Sequence, residues 1–349
     1  MRSGRKIKVL VVDDSLVFRE TIAKGIGTDP SIEVIATAAD PFAARDRILE
    51  YEPDVMTLDV EMPKMGGIEF LRKLMPQYPL PVVVVSAVNQ SVFDAIKHGA
   101  VDFVTKPSMD GAVNIQSFIN ELIIKIKIAS TAKVGHWKNF KELKSTAGSI
   151  RNSKNRLIAL GSSTGGTEAV LNILKSFSTD MPCALVVQHM PPVFTKLYAE
   201  RLNSICSIEV REAKDGDWIH PGLALIAPGE HHMSVRKDAG GFCVQCYKGE
   251  KVSGHCPSVD VLFSSVADCF GSDAVGVILT GMGYDGAKGL LEMRKKGSRT
   301  IGQSEETCVV YGMPKAAYDI GAVEKQERLE EIPQLILKYL LRKEARPDT

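Results

Sequence analysis

IALGSSTGGTEAV, residues 158–170, runs from an apolar segment through a small polar loop into a helix-like pattern. An apolar run closed by glycines and followed by helical periodicity is a β-strand feeding an α-helix, the repeating unit of an α/β sheet. The loop could cradle a phosphate or present a hydroxyl for attack on a carbonyl. Phosphate-binding turns need G-x-G-x-x-G or G-x-x-x-x-G-K-[ST]. Here the glycines fall at 161, 165 and 166 and no lysine follows, so neither template fits. Backbone N–H groups at a helix N-terminus still favour negative charge, an oxyanion included. The loop therefore offers a hydroxyl and oxyanion donors together. It is not the G-x-S-x-G elbow of the α/β-hydrolases, and the residues alone leave Ser162 and Ser163 both open as nucleophile.

Outward from this loop, the chain of 349 residues is long enough for two domains at roughly 100–200 residues each. Its 44% apolar content supplies proper cores, and a net charge of +1 argues against broad electrostatic binding to nucleic acid or anionic membrane. Met1–Lys6 leads into only a short apolar run, Ile7–Val12, so no signal peptide is expected. No apolar stretch approaches the about 18 residues of a membrane helix, and a cytoplasmic protein is expected. All seven cysteines lie in the second half, which suggests reduced thiols. Cys243-x-x-Cys246 with His255-Cys256 hints at zinc, but residues three apart on a strand point to opposite faces, so buried thiols are expected instead.

The first half alternates strand-like runs (Lys8–Val12, Val34–Ala38, Val55–Leu58, Val82–Ser86, Phe103–Val104) with helical patterns at 16–26, 41–50, 67–76, 91–98 and 114–128. That is a βα repeat and predicts a doubly wound, flavodoxin-like parallel sheet. Ala129–Asn155 carries six Lys/Arg against one Asp/Glu and is predicted to be an exposed linker between domains at 1–128 and 156–349. The second half predicts a larger α/β domain with a mostly parallel sheet. In its middle, Leu223–Ala227, Met233–Lys237 and Phe242–Tyr247 suggest an antiparallel insertion with a Gly240-Gly241 turn.

In the first half, Asp13-Asp14, Asp59, Ser86 and Lys106-Pro107 all fall at the carboxyl ends of predicted strands, where open α/β sheets gather their sites. Crowded carboxylates repel and are held together by a hard cation such as Mg²⁺. VVDDS, LDVEMP, VVVVSA and DFVTKP together resemble a bacterial response-regulator receiver domain over about 7–128. The resemblance implies Asp59 as phosphoryl acceptor, and Mg²⁺ on Asp13, Asp14, Asp59 and the Glu61 carbonyl. It further implies Ser86 and Phe103 as a switch pair and Lys106 as phosphate contact. Gly66 stands where the family usually has Asp, a loop change outside that chemistry.

In the second half a serine needs a base. Leu185–His189 is an apolar run ending in histidine and stopped by Pro191-Pro192, so His189 is held at a strand end. His231 and His232 follow another strand-like run and are rivals, while His220 and His255 lie in turns. Val275–Leu279 is a buried strand followed by a glycine-rich loop with Asp285 before a helix, a good N-cap position as well as a candidate acid. Ser163, His189 and Asp285 would then share one sheet edge, and a triad is defined by geometry rather than chain order.

GSSTGGTEA, VVQHMPPVFT, GHCPSVDVLF and ILTGMGYDGAKGL resemble the catalytic domain of the chemotaxis protein-glutamate methylesterase (CheB) family. The STGG match implies Ser163 as nucleophile, with His189 as base and Asp285 as orienting acid. Met282 N–H and Thr164 would serve the oxyanion hole, and Ser162→Ala should stay active. Cys256 stands where the family usually has arginine. The implied activity is demethylation of glutamate methyl esters on methyl-accepting chemoreceptors and deamidation of selected glutamines, with no cofactor for hydrolysis. The implied phosphodonor is the chemotaxis histidine kinase, with phosphorylation relieving inhibition by the receiver. A DNA-binding output does not fit a glycine-rich α/β half at near-neutral charge.

Overall fold

Runs rich in valine and isoleucine dominate the sheet centres because helices cover both faces, which favours continuous apolar strands over alternation. The computed structural model describes residues 5–87, 91–107, 115–135 and 155–341. The chain divides into two units, Met1–Asn139 and Phe140–Thr349. The basic linker predicted at Ala129–Asn155 lies largely outside the described residues.

The first unit alternates β1 (Ile7–Val12), α1 (Leu16–Ile26), β2 (Ile32–Ala38), α2 (Pro41–Tyr51), β3 (Val55–Asp59), α3 (Gly67–Leu74), β4 (Val82–Ser86), α4 (Ser91–Lys97), β5 (Asp102–Thr105) and α5 (Ile115–Ala129). Its strands are all parallel in the order β2-β1-β3-β4-β5. Every residue of β3 and β4 is buried. Ser15 and Asp40 cap α1 and α2, their side chains accepting backbone N–H groups of the first turn. The strand order reverses between β1 and β3, so the crevice that this reversal opens holds the ends carrying Asp13, Asp14 and Asp59.

The second unit has β6 (Leu157–Ser162), α6 (Gly166–Lys175), β7 (Cys183–Gln188), α7 (Phe194–Ile205), β8 (Glu209–Glu212), β9 (Leu223–Ile226), β10 (His232–Asp238) and β11 (Gly241–Tyr247). It continues with α8 (Val259–Phe270), β12 (Ala274–Ile278), α9 (Ala287–Lys295), β13 (Arg299–Gln303), α10 (Met313–Asp319), β14 (Lys325–Glu327) and α11 (Ile332–Leu341). Seven strands form a wholly parallel sheet, β14-β13-β12-β6-β7-β9-β8, and β10-β11 form a separate antiparallel hairpin. The expected three-stranded insertion is thus corrected: Leu223–Ile226 pairs in parallel with β7 and β8 in the main sheet. Four fully buried apolar residues fit an internal parallel strand as well as a hairpin arm, and the run alone does not separate them. The hairpin packs Met233, Val235 and Val244 into the core with Phe263 and Val266 of α8. The amphipathic C-terminal helix buries Ile332, Leu335, Ile336 and Tyr339 as its periodicity predicts. Among the described residues no helix is long and apolar enough to cross a membrane.

Candidate active site

β12, β6 and β7 are neighbours and run parallel, so their carboxyl ends meet on one edge. The loops leaving them carry Asp285, Ser163 and His189. β6 is also where the strand order reverses, with β7 on one side and β12 on the other, the place where open sheets form crevices.

The Ser163 loop is a built turn. Gly166 N–H donates to the Ser163 carbonyl at 2.7 Å, closing residues 163–166. Gly165 sits third in that turn at φ 77° and ψ −5°, the type II position that glycine alone takes without strain. Ser163 N–H donates to the Thr280 carbonyl at 3.0 Å, tying this loop to the one after β12. The loops pass so closely that a Cβ on Gly281 would lie 2.7 Å from the Ser163 Cβ. Gln188 Nε2 donates to the Ser163 carbonyl at 2.9 Å, and its Oε1 accepts from Ser162 Oγ at 2.6 Å. Ser162 is therefore fully buried with its hydroxyl engaged, whereas Ser163 is half-buried at the edge.

His189 and Asp285 are joined, Nε2 to Oδ2, at 2.8 Å. Asp285 is only 1% exposed and also accepts from Ser258 Oγ at 2.7 Å and from the N–H groups of Val259 and Asp260 at 2.8 and 3.0 Å. Burial pushes its pKa up, but the His189 ring and these donors outweigh it and hold the carboxyl below the usual range. Asp260, which accepts from Gly289 N–H and Ser253 Oγ, is pushed up instead, by burial and then by the charge of Asp285. With Nε2 committed to Asp285, Nδ1 is the available atom of His189, and it is buried without a hydrogen-bond partner among the described residues. The serine-protease template uses the two ring nitrogens the other way round. Ser163 Oγ and His189 are not hydrogen-bonded, a looseness common in catalytic groups before substrate arrives.

The rival histidines are occupied. His232 accepts Ser258 N–H on Nδ1 at 3.2 Å and donates from Nε2 to the Glu250 carbonyl at 2.8 Å. His231 and His220 place Nδ1 against the carbonyls of Gly229 and Pro221. Met282 is 47% exposed in the loop after β12, and its N–H has no partner among the described residues. Thr164 is buried, its carbonyl accepting from Thr280 Oγ1 at 3.0 Å. Sequence reasoning passed over Gln188, Thr280, Ser258, Asp260 and Gln303, whose Oε1 accepts Thr280 N–H at 2.8 Å. Gln188, Ser258, Asp260 and Thr280 lie inside the motifs VVQHMPPVFT, GHCPSVDVLF and ILTGMGYDGAKGL, but no spacing marks out their contacts. The seven cysteines are all free thiols. Burial pushes the Cys183 and Cys246 thiols up to about 12.

In the first unit, carboxylate oxygens of Asp13, Asp14 and Asp59 lie within 4.8 Å of one another, the sole such cluster among the described residues. Asp13 accepts Ser15 N–H at 3.0 Å and Asp59 accepts Glu61 N–H at 3.0 Å, each on Oδ1. Their Oδ2 atoms face Lys106 Nζ at 2.9 and 2.6 Å. Lys106 thus bridges the two buried carboxylates, with the shorter contact the better aligned hydrogen bond. Burial, helped by nearby Asp13, pushes Asp59 up, while Lys106 and the Glu61 N–H oppose this without prevailing. Ser86 Oγ is buried with no partner among the described residues, and Phe103 is buried on the neighbouring strand β5. Three hard carboxylates whose oxygens converge in this way fit a Mg²⁺ ion.

Residues 158–336 match the CheB methylesterase family model, and residues 9–115 match the response regulator receiver domain. The chain is 59% identical over 336 residues to protein-glutamate methylesterase/protein-glutamine glutaminase 2 of Syntrophomonas wolfei, covering 96% of this chain and 98% of that one. It is 49% identical over 348 residues to the protein-glutamate methylesterase/protein-glutamine glutaminase of Syntrophotalea carbinolica, with the same coverage of 96% and 98%. The crystal structure of the Thermotoga maritima CheB methylesterase catalytic domain is similar at a TM-score of 0.52 and 36% identity, covering 53% of this chain and 98% of that one. The parallel sheet with its reactive edge, the second sheet with its acidic crevice, and these matches place the chain in the CheB methylesterase family, with a receiver domain preceding the esterase domain.

Proposed function

We propose that the second unit demethylates glutamate γ-methyl esters on the cytoplasmic helices of chemoreceptors, and deamidates selected glutamines there, through an acyl-enzyme on Ser163. The observation that carries this is the buried Asp285 holding His189 by Nε2 while Nδ1 stays unpartnered among the described residues, with the His189 backbone N–H bonded to the Ser162 carbonyl next to Ser163. Ser163 Oγ attacks the ester carbonyl carbon and its proton passes to His189 Nδ1. The oxyanion is met by Met282 N–H and by the α6 N-terminus next to Thr164. Collapse breaks the C–O bond to the methoxy group, which leaves as methanol with the proton from Nδ1. Water, deprotonated by Nδ1, then cleaves the acyl-enzyme and returns the proton to Ser163 Oγ. With a glutamine substrate the leaving group is ammonia. Asp285 remains ionised throughout and stabilises the imidazolium.

The first unit, in the same proposal, accepts a phosphoryl group on Asp59 from the chemotaxis histidine kinase. Asp13, Asp14, Asp59 and the Glu61 carbonyl would hold Mg²⁺, which when bound neutralises charge on the transferring phosphoryl group. Lys106 offers its ammonium to the phosphate oxygens, and Ser86 offers its hydroxyl. The chain works in the cytoplasm, where kinase and receptor helices meet it. Methanol release from methylated receptor membranes tests the hydrolytic part: Ser163→Ala should reduce it by roughly 10⁴-fold or more, and equal release by variant and wild type would sink the serine mechanism.

A further inference from the structure

The segment Val252–Asp260, at the start of GHCPSVDVLF, plays no part in the steps above, yet it touches both partners of the His189–Asp285 pair. Val252 and His255 exchange two backbone hydrogen bonds, at 2.9 and 3.0 Å, across a two-residue loop. Ser253 at φ 52° and Gly254 at φ 86° give that loop the left-handed pair of a type I′ turn. Ser253 Oγ donates to Asp260 Oδ2 at 2.8 Å, which pins the turn to the start of α8. The turn delivers the His255 ring flat against His189, centroids 3.7 Å apart and planes 8° from parallel. Three residues later the same segment supplies Asp285 with Ser258 Oγ, Val259 N–H and Asp260 N–H.

One hydrogen bond at Nε2 fixes a point on the His189 ring but leaves the ring free to tilt about that point. A tilt moves Nδ1, the atom proposed to take the proton. A parallel ring in van der Waals contact removes that freedom, because tilting would drive one edge of His189 into its neighbour. We infer that His255 is a positioning residue whose flat face fixes the plane of His189, so that Nδ1 keeps one direction at the edge where Ser163 sits. This rests on the hydrolytic function proposed above. What is inferred is the effect of the ring's flat face, which a planar hydrocarbon ring also presents.

The test uses the full-length chain and methanol release from methylated receptor membranes, for wild type, His255→Ala, His255→Leu, His255→Phe and Ser163→Ala. ¹⁵N NMR of the His189 ring reports its tautomer and, through line width, its motion independently of turnover. His255→Ala and His255→Leu should lose ten- to a hundredfold in kcat, the scale of a small misplacement of a catalytic group, with KM within about twofold. His255→Phe should stay within about threefold of wild type. The His189 signals should show one tautomer, unprotonated at Nδ1, in every variant because Asp285 holds Nε2–H, but should broaden with ring motion in His255→Ala and His255→Leu only. Wild-type kcat in His255→Ala, or His255→Phe as slow as His255→Leu, or His189 signals as sharp in the slow variants as in wild type, would each overturn the inference. The leucine variant decides the matter if the alanine variant does not fold. Ser163→Ala separates the two levels: undiminished release there removes the hydrolytic function itself, whereas silence there with a flat His255 series removes only the stacking role.

Discussion

Ser162 and Ser163 are adjacent and chemically identical, yet the fold gives them opposite surroundings. Ser162 is the last residue of β6, sealed in the core and bonded to Gln188, while Ser163 has left the strand. Ser163→Ala should cost roughly 10⁴–10⁶ in turnover with stability nearly intact, as in other serine hydrolases. Ser162→Ala should do the reverse. Gln188 Oε1 would lose its buried donor, so about 1–3 kcal/mol of stability should go, seen as a lower denaturant midpoint, while activity falls only modestly. A Ser162→Ala chain as inactive as Ser163→Ala would mean that the nucleophile was assigned to the wrong serine. That Ser163, His189 and Asp285 follow neighbouring strand ends was legible because strand ends can be read from apolar runs and open α/β sheets gather their sites there. Gln188, Thr280 and Ser258 were not, because each acts through a hydrogen bond to a residue 25 or more positions away, such as Gln188 to Ser163. No local pattern encodes such a pair.

Elements show the same divide. Each βα unit of the first domain was legible, since helix and strand periods alternate cleanly there. β9 was misassigned because its parallel partner β7 is distant in sequence, whereas the nearby Met233–Lys237 run invited a hairpin. The turn between β6 and α6 makes a sharper test. At Gly165, φ 77° is costly for any side chain, and a Cβ would sit 2.5 Å from Val309 Cγ2. Gly165→Ala should therefore lose about 1–3 kcal/mol and at least about tenfold in turnover as the turn shifts Ser163. Gly216 has a similar φ of 82° but open space around it. Gly216→Ala should lose only about 1 kcal/mol and keep full activity. Denaturation and methanol release on the pair separate strain from displacement.

A different element contact predicts a pH dependence. Asp29, between α1 and β2, accepts from Lys127 Nζ of α5 at 2.7 Å and from Ser31, which hold its pKa down at about 2 from 3.8. A depressed carboxyl stabilises the fold above its unfolded pKa and loses that contribution as pH falls through the folded one. Asp29→Asn should thus cost about 0.5–1 kcal/mol for a partly exposed pair at neutral pH. The difference between variant and wild type should hold its size down to about pH 4 and shrink toward about pH 2. Denaturant titrations at several pH values check the direction; a gap that widens on acidification would contradict it.

At the scale of the whole molecule, Asp59 and Ser163 belong to different sheets in different units, so phosphate can affect hydrolysis only through a coupling free energy. The acidic crevice holds what a switch requires. Lys106 bridges Asp13 and Asp59 in the unphosphorylated chain, and a phosphoryl group on Asp59 would take over the carboxylate oxygen that Lys106 now holds. Ser86 Oγ is buried with no hydrogen-bond partner among the described residues, and phosphate oxygens are strong acceptors. Phosphorylation therefore favours a second arrangement of Ser86 and Lys106, the local event from which a population shift can start. If that shift relieves a restraint imposed by the receiver, a small-molecule phosphodonor with Mg²⁺ should raise kcat/KM of the full chain. A tenfold rise corresponds to about 1.4 kcal/mol of coupling. Asp59→Asn should abolish the rise, and Ser86→Ala should blunt it while Asp59 is still phosphorylated. A chain reduced to residues 150–349, shown to be folded by a cooperative thermal transition, should match or exceed the phosphorylated full chain. Were it no faster than the unphosphorylated full chain, the receiver would impose no restraint, and phosphate would have to act by adding activity rather than by releasing it.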